Sequence, residues 1–385
     1  MRFADNRNKI GKYIPAVVFL IFIYGMALWF IFSPKPDYSS SEKRYLQKFP
    51  EVTAEKLLSG DFGSEFETFF ADRFPQRNTW VGLNAYTALA EGNNGASGVY
   101  NCKNGYLINK PVSTENNLDK NIGAVADFAK SIDTPTTVML VPSTGYIVDD
   151  VLPTFHDKYN DDEDISKISS TLSKDKIGFV DLRERFKSEY KNGSQIYYKT
   201  DHHWTTKGAY TGYQELCKAL GITPIDDSTL KKDSYPDFYG TTYSSSGFWL
   251  TPPDNIEIWN NPKNSDRNIS VKITEGANIK TSGSMYFTDH LKEDDKYPVF
   301  IDGNHALTEI TNTNAKNGTI LLIKDSFSQS LAPFLAENYS KVVLVDLRYY
   351  KESVSDLVTT YNPEQVVVLY GIDNLATDTD IVWLK

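Results

Sequence analysis

The sequence predicts an α/β protein: a parallel sheet sandwiched by helices, with a β-rich insertion and one transmembrane helix at the amino terminus. Three observations predict it. Short apolar segments alternate with helical ones over residues 114–220 and again over 318–370, a pattern that builds parallel sheets covered on both faces. The stretch between them, about 223–313, is rich in Asp, Ser, Asn, Tyr and Thr and has no long amphipathic helix. The chain also opens on one long apolar run.

That run, Ile14 to Phe32, is nineteen residues without a charge. At about 1.5 Å per residue it matches a bilayer core of about 30 Å. Arg2, Arg7, Lys9 and Lys12 precede it, against Asp5 alone. Positive flanks stay inside, so the remainder is expected outside the cytoplasm, at the cell membrane as a single-pass protein. A cleaved signal peptide is the alternative, but the run is long for one and Ser33-Pro34-Lys35-Pro36 offers no small-x-small site. The expected organisation is a cytoplasmic tail over 1–12, an anchor over 13–33, a Pro- and Ser-rich stalk over 34–41, and one domain over 42–385 with the insertion inside it.

Within that domain, Glu42 to Trp80 carries helical periodicity, with Phe62, Phe66, Phe69 and Phe70 crowding one face. Gly98 to Leu107 reads as a hairpin turning at Asn104-Gly105. Thr114–Ser131 is a predicted helix, Thr136–Val141 a buried strand closed by Pro142, Asp164–Leu172 a helix and Gly178–Leu182 a strand. Lys207–Leu220 is a helix capped by Gly221. After the insertion come strands Gly318–Ile323, Lys341–Asp346 and Gln365–Tyr370, separated by helices Ser328–Asn338 and Lys351–Tyr361. This βαβαβ run is the strongest fold signal and calls for right-handed crossovers.

Net charge is -10 with both signs well mixed. The chain has no basic stripe beyond residue 12, which argues against nucleic acid and against a polyanionic substrate. The 24 Tyr, 21 Phe and 6 Trp suit a sugar surface, but filling of the core and of half-exposed strands is the stronger reading. Cys102 and Cys217 have no metal-ligand spacing; two buried thiols are expected rather than a disulfide. No metal and no cofactor is expected.

Two segments carry chemistry. Ile323-Lys324-Asp325-Ser326-Phe327-Ser328 takes an apolar strand through a short polar turn into a helix. Ser326 therefore sits at the carboxyl end of a strand, where α/β sheets place their sites, and at a helix start whose N–H groups can hold an oxyanion. Alone, the reading as a helix cap is the stronger one. Thr200-Asp201-His202-His203-Trp204-Thr205 supplies what a serine nucleophile needs: a base, and a carboxylate to fix its tautomer. On an extended segment Asp201 and His203 face one side and His202 the other, which favours His203 as the base. A zinc site of Asp201, His202 and His203 is the competing reading, weakened because neighbouring side chains diverge and no spaced ligand set accompanies them. Asp325 is expected to order its turn, Ser143 to be a loop contact, and Arg73 and Arg348 to join ion pairs; His305 lacks a carboxylate nearby in sequence.

The chain resembles the DHHW family, within the SGNH-like proteins that include the alginate O-acetylation proteins. The resemblance lies in Asp72-Arg73-Phe74-Pro75-Gln76-Arg77, Asp201-His202-His203-Trp204-Thr205, Phe238-Tyr239-Gly240-Thr241-Thr242-Tyr243-Ser244, Gly303-Asn304-His305, Lys324-Asp325-Ser326-Phe327 and Asp346-Leu347-Arg348-Tyr349-Tyr350. It implies an SGNH (flavodoxin-like) fold and a triad in the chain order Asp201, His203, Ser326. It implies an O-acetyltransferase acting on an exopolysaccharide or cell-wall glycan through an acyl-serine, beside a membrane-bound O-acyltransferase that brings acetyl across the bilayer. A carbohydrate O-acetylesterase and a non-catalytic glycan-binding scaffold are the alternatives. The oxyanion candidates are the N–H groups of Ser326 and Phe327, and Asn304. Trp204, Tyr239, Tyr243, Phe248 and Trp249 are candidates for a substrate groove. Two departures stand out: Lys324 replaces the Gly of the usual Gly-Asp-Ser motif, and the Asp/His pair precedes the serine.

Overall fold

The computed structural model describes residues 2–112, 117–264 and 267–384. It contains two compact units, Met1–Thr87 and Ala88–Lys385.

The first unit begins with helix α1, Arg2–Phe32. Its Lys12–Phe32 portion is long and apolar enough to span a membrane, and none of it is buried in protein. The segment that follows, including the stalk expected over 34–41, is held by hydrogen bonds. Strand β1 (Tyr38–Ser39) pairs antiparallel with β2 (Arg44–Tyr45). Arg73 donates to the carbonyls of Pro36 and Gln47, while Asp72 accepts two bonds from Arg44, at 3.0 and 2.5 Å, and one from the Gln47 N–H. Irregular backbone needs such partners, and the Asp72-Arg73 pair supplies them. Helix α2 (Ala54–Ser59) is capped by Thr53, whose hydroxyl accepts the Lys56 N–H, and ends at Gly60 with φ 87°. Helices α3 (Asp61–Asp72) and α4 (Arg77–Ala90) follow.

The second unit opens with a small sheet of β3 (Gly95–Ala96), β4 (Val99–Asn101) and β5 (Leu107–Asn109). Its hairpin turns where predicted: Asn104 and Gly105 have φ 58° and 78°, which a β-branched residue would resist. Helix α5 (Asn117–Ser131), strand β6 (Thr136–Val141), the short helix α6 (Thr144–Ile147), α7 (Asp161–Lys174) and β7 (Gly178–Asp181) come next. Residues 113–116, the start of the first predicted helix, lie outside the described residues. Helix α8 (Arg183–Lys191) has no counterpart in the expectations, because its charged sequence shows a weak apolar stripe. Helix α9 (Thr206–Leu220) starts on a Thr205 cap and stops at Gly221, φ 69°.

The insertion holds β8 (Lys231–Phe238), α10 (Thr241–Ser246), β9 (Asp254–Asn260), β10 (Ile269–Glu275), β11 (Asn278–Ser282) and β12 (Leu307–Asn312). Then come β13 (Asn317–Lys324), α11 (Ser328–Leu335), β14 (Tyr339–Val345), α12 (Val354–Tyr361), β15 (Gln365–Gly371) and α13 (Ile372–Thr377).

The central sheet has eight strands in the order β11-β10-β12-β14-β13-β15-β6-β7. The five from β14 to β7 are parallel, as expected; β12, β10 and β11 extend them antiparallel. Half of the insertion is thus an edge of the main sheet, while β8 and β9 form a separate ribbon. The last strand of the chain, β15, lies in the middle, between β13 and β6.

Strand side chains alternate faces, and the two cores follow that alternation. Val342, Leu344, Ile320, Leu322, Val367, Leu369 and Met139 pack with α9 and α11 on one face. Leu321, Ile323, Val343, Val345, Val366, Val368 and Leu140 pack with α5, α7 and α12 on the other. A third cluster, including Tyr198, Phe238, Ile256, Tyr297 and Phe300, underlies the insertion. Cys102 and Cys217 are separate buried thiols, and burial pushes both up to about 12.

Leu322 lies at the centre of the sheet, fully buried, with paired strands on both sides. Leu322→Ala is expected to lower unfolding free energy by about 2–5 kcal/mol, read as a reduced denaturation midpoint with unchanged slope.

Candidate active site

Strand β13 delivers its last residue, Lys324, to the carboxyl edge of the sheet, and the next three residues turn into α11. Asp325 orders that turn. Its N–H continues the ladder to the Leu369 carbonyl, 3.2 Å away. One carboxylate oxygen accepts the Phe327 N–H at 3.0 Å; the other accepts the Gly371 N–H and the Asn374 amide, both at 2.7 Å. Three donors fix this carboxylate in the turn. Ser326 is left at the turn with 7% of its surface exposed.

The Asp201/His203 segment reaches Ser326 from the other side. Tyr198 and Thr205 bond back to His203 and Ile196, so residues 196–205 form a narrow bend. Asp254, at the start of β9, pins the bend by accepting the N–H groups of Lys199 and Thr200, the Thr200 hydroxyl and the Gln195 amide. Trp204 is fully buried, its indole N–H bonded to Ser330 and to the Phe327 carbonyl in the serine turn.

These anchors close a linear chain of bonds. Asp201 Oδ1 is 2.7 Å from His203 Nδ1, and His203 Nε2 is 2.7 Å from Ser326 Oγ. The carboxylate also accepts the backbone N–H of His203 and, on its other oxygen, that of Thr241, each at 2.9 Å. The Asp201 bond assigns the Nδ1–H tautomer, which leaves the Nε2 lone pair facing the serine hydroxyl. The His203 ring is stacked on Tyr297 at 4.0 Å and 12°. Gly240 packs so closely on Asp201 that a Cβ there would lie 2.1 Å from the aspartate Cβ.

Electrostatics follow from that packing. Burial opposes ionisation of Asp201, but the two adjacent imidazoles and their hydrogen bonds outweigh it and hold the carboxyl well below the usual range. Burial and the neighbouring His202 charge depress His203, against the pull of Asp201. Burial also disfavours charge on His202, yet Asp201 prevails and raises it.

His202 departs from expectation. The chain bends here instead of running extended, so the two histidine rings lie together, centroids 3.9 Å apart. His202 Nδ1 bonds Thr241 at 2.9 Å and approaches Asp201 at 3.2 Å. The expected divergence of side chains is therefore wrong: the donor atoms of Asp201, His202 and His203 converge within 4.8 Å. Orientation separates the proton-relay reading from the metal reading, since both nitrogens of His203 already serve Asp201 and Ser326.

The other candidates fall in different places. The Phe327 N–H is taken by Asp325, so it is not free for an oxyanion; among the described residues the Ser326 N–H meets no acceptor. The Asn304 side-chain oxygen, Oδ1, accepts Lys324 at 2.9 Å and Gln329 at 2.5 Å. Trp204 and Phe248 are fully buried and line no groove. Tyr239, Tyr243 and Trp249 form a half-buried row of touching rings, the first pair tilted at 4.3 Å and the second edge-on at 5.2 Å. The cleft beside His202 and Phe327 holds about 60 Å³ and is lined instead by Ser143, Thr144, Thr242, Asp373 and Asn374 among others. Ser143 donates its hydroxyl to Asp373 and its N–H to Asp161, as a loop contact. His305 pairs with Glu275 and the Asp302 carbonyl. Lys324, replacing the usual glycine, is buried and bonded to Asp346, which Arg348 also clamps.

The sequence does not single out Asp254 or Tyr297, both in the insertion, while Gly240 falls within the Phe238–Ser244 motif with no role assigned to it.

A model of the family described as DHHW protein matches residues 112–345. No curated protein matches the chain. Among solved structures, a DHHW family protein from Eubacterium siraeum is 18% identical with a TM-score of 0.62, covering 74% of this chain and 94% of its own. Bacillus cereus PatB1 with a sulfonyl adduct is 21% identical with a TM-score of 0.60, covering 73% and 95%. At these identities the likeness concerns the fold.

The two histidines make a separable prediction. Site-resolved NMR titration is expected to place the His203 midpoint below the ordinary imidazole value of about 6.5. His202→Gln removes a neighbouring positive charge, so the His203 midpoint should rise; an unchanged midpoint would contradict the coupling.

Proposed function

Since the chain belongs to the DHHW family, we propose that it is a membrane-anchored, extracytoplasmic O-acetyltransferase acting on an exopolysaccharide or cell-wall glycan. The observation that carries the reading is the hydrogen-bonded series Asp201–His203–Ser326. Its spacing suits nucleophilic acyl transfer.

In the proposed reaction His203 Nε2 takes the Ser326 proton as Oγ attacks the acetyl carbonyl carbon. The oxyanion forms against the Ser326 N–H. The bond to the donor's leaving oxygen breaks, and that oxygen takes the proton from His203. The acetyl group is then an ester on Ser326. A sugar hydroxyl gives its proton to His203 and attacks that ester; the bond to Ser326 Oγ breaks, Oγ takes the proton back from His203, and the sugar is left acetylated. Asp201 holds the imidazole and balances its charge while it carries the proton. Where water attacks instead, the same steps make a carbohydrate O-acetylesterase. The half-buried aromatic row of Tyr239, Tyr243 and Trp249 is a candidate sugar platform.

The amino-terminal span, with Arg2, Arg7, Lys9 and Lys12 before it, supports anchoring with the second unit outside. A membrane-bound O-acyltransferase is the proposed source of acetyl. PatB1 carries a sulfonyl adduct in its solved structure, and a sulfonyl fluoride is accordingly a suitable probe of Ser326 here.

Ser326→Ala is expected to lower turnover of p-nitrophenyl acetate by about three orders of magnitude or more and to abolish sulfonyl labelling, without loss of fold by circular dichroism. A variant with full activity would contradict the role of Ser326. Adding acetyl-free oligosaccharide should divert acetyl from water to sugar, measured by mass spectrometry of the glycan; water as sole acceptor would favour the esterase. Silent wild-type protein that still binds glycan would favour a scaffold.

A further inference from the structure

The juxtamembrane unit exposes an apolar face that the proposed chemistry does not use. In α3, Phe62, Phe66, Phe69 and Phe70 recur at helical spacing along one side, while Ser64 and Thr68 occupy the opposite side. Phe49 packs edge-on against Phe62, Phe66 and Phe69 at 5.4–6.5 Å. Ring packing does not bury them: Phe49 is 57% exposed, Phe66 39% and Phe70 41%. In the adjoining segment Val52, and Leu57 and Leu58 of α2, are exposed too, Leu58 by 90%, and α2 packs on α3. A contiguous patch of this kind marks a surface with a partner.

Its neighbour identifies the partner. Phe30 lies in the last turns of the candidate span Lys12–Phe32, and its ring sits 4.8 Å from Phe70 and 6.2 Å from Phe69. If Lys12–Phe32 crosses the bilayer, Phe30 lies where the helix leaves the hydrocarbon, and the patch is contiguous with it at that depth. Aromatic rings favour that boundary, and an amphipathic helix can rest in it. We propose that the Phe49/Phe62/Phe66/Phe70 face of α3, with Leu57 and Leu58 of α2, lies in the lipid headgroup and upper acyl region of the same membrane. This rests on the reading of Lys12–Phe32 as a span. The unit is then a lipid-seated collar, not a flexible tether.

The test uses the full chain in vesicles of phosphatidylethanolamine and phosphatidylglycerol. Both native thiols are buried, so an environment-sensitive fluorophore labels an introduced exposed cysteine selectively. Phe66→Cys and Leu58→Cys report on the patch and Ser64→Cys on the opposite face. Co-flotation with vesicles tests the span itself. In floated protein, the patch labels should be blue-shifted and quenched severalfold more strongly than the Ser64 label by lipids spin-labelled near the headgroup. Equal, solvent-like emission at all three sites overturns the proposal while leaving the span intact. A blue-shifted patch label that lipid does not quench also overturns it, because protein then covers the face. Two patch positions keep the result readable if one substitution disturbs α3.

Discussion

The hydrogen bond from Ser326 to His203 joins residues 123 apart in sequence, and most of the second unit serves to hold its two ends. One end is fixed by the parallel sheet. Strand β13 is flanked by β14 and β15, and the carboxylate of Asp325 ties its exit turn to Gly371 and Asn374 at the exit of β15. The central position of β15 therefore has a local consequence: the last strand of the chain buttresses the serine turn. The other end is a bend, not a strand, and depends on Asp254, Thr241 and Gly240 from the insertion. Trp204 joins the two directly through the Phe327 carbonyl.

Buried charge around the serine and the histidine is handled in one way. An unpaired carboxylate in the interior is costly, and three of them here have several donors. Asp325 receives three, Asp201 receives backbone N–H groups and two imidazoles, and Asp346 receives Lys324 and Arg348. These arrangements place two positively polarisable rings on Asp201 while leaving His203 the weaker base of the pair. That division suits His203 to stay neutral and accept a proton, with His202 facing the cleft.

Much of this was legible in sequence where local pattern decides it. Thr136–Val141 was read to the residue because a fully buried parallel strand is a continuous apolar run closed by proline. The Asn104-Gly105 turn and the Gly221 stop followed from the left-handed backbone they adopt. Asp201, His203 and Ser326 were legible as residue types in strand-end and paired contexts. In the structure Asp201 and His203 meet through a bend and not through extended alternation. Illegible features were those set by tertiary contact. Asp254 and Tyr297 have no spacing relation to the site, and the burial of Trp204 and Phe248 cannot be told from the aromatic pattern that suggested a groove. The antiparallel strands of the insertion were legible as β-rich but not as an edge of the main sheet, because pairing partners are not encoded locally.

The central claim is that Ser326 becomes the acyl carrier. Brief exposure of the full chain to p-nitrophenyl acetate, acid quenching and peptide mapping tests it directly. The account predicts one acetyl group, on the peptide containing Ser326, absent from a His203→Ala variant. Acetyl found on another residue, or equally in that variant, would contradict it.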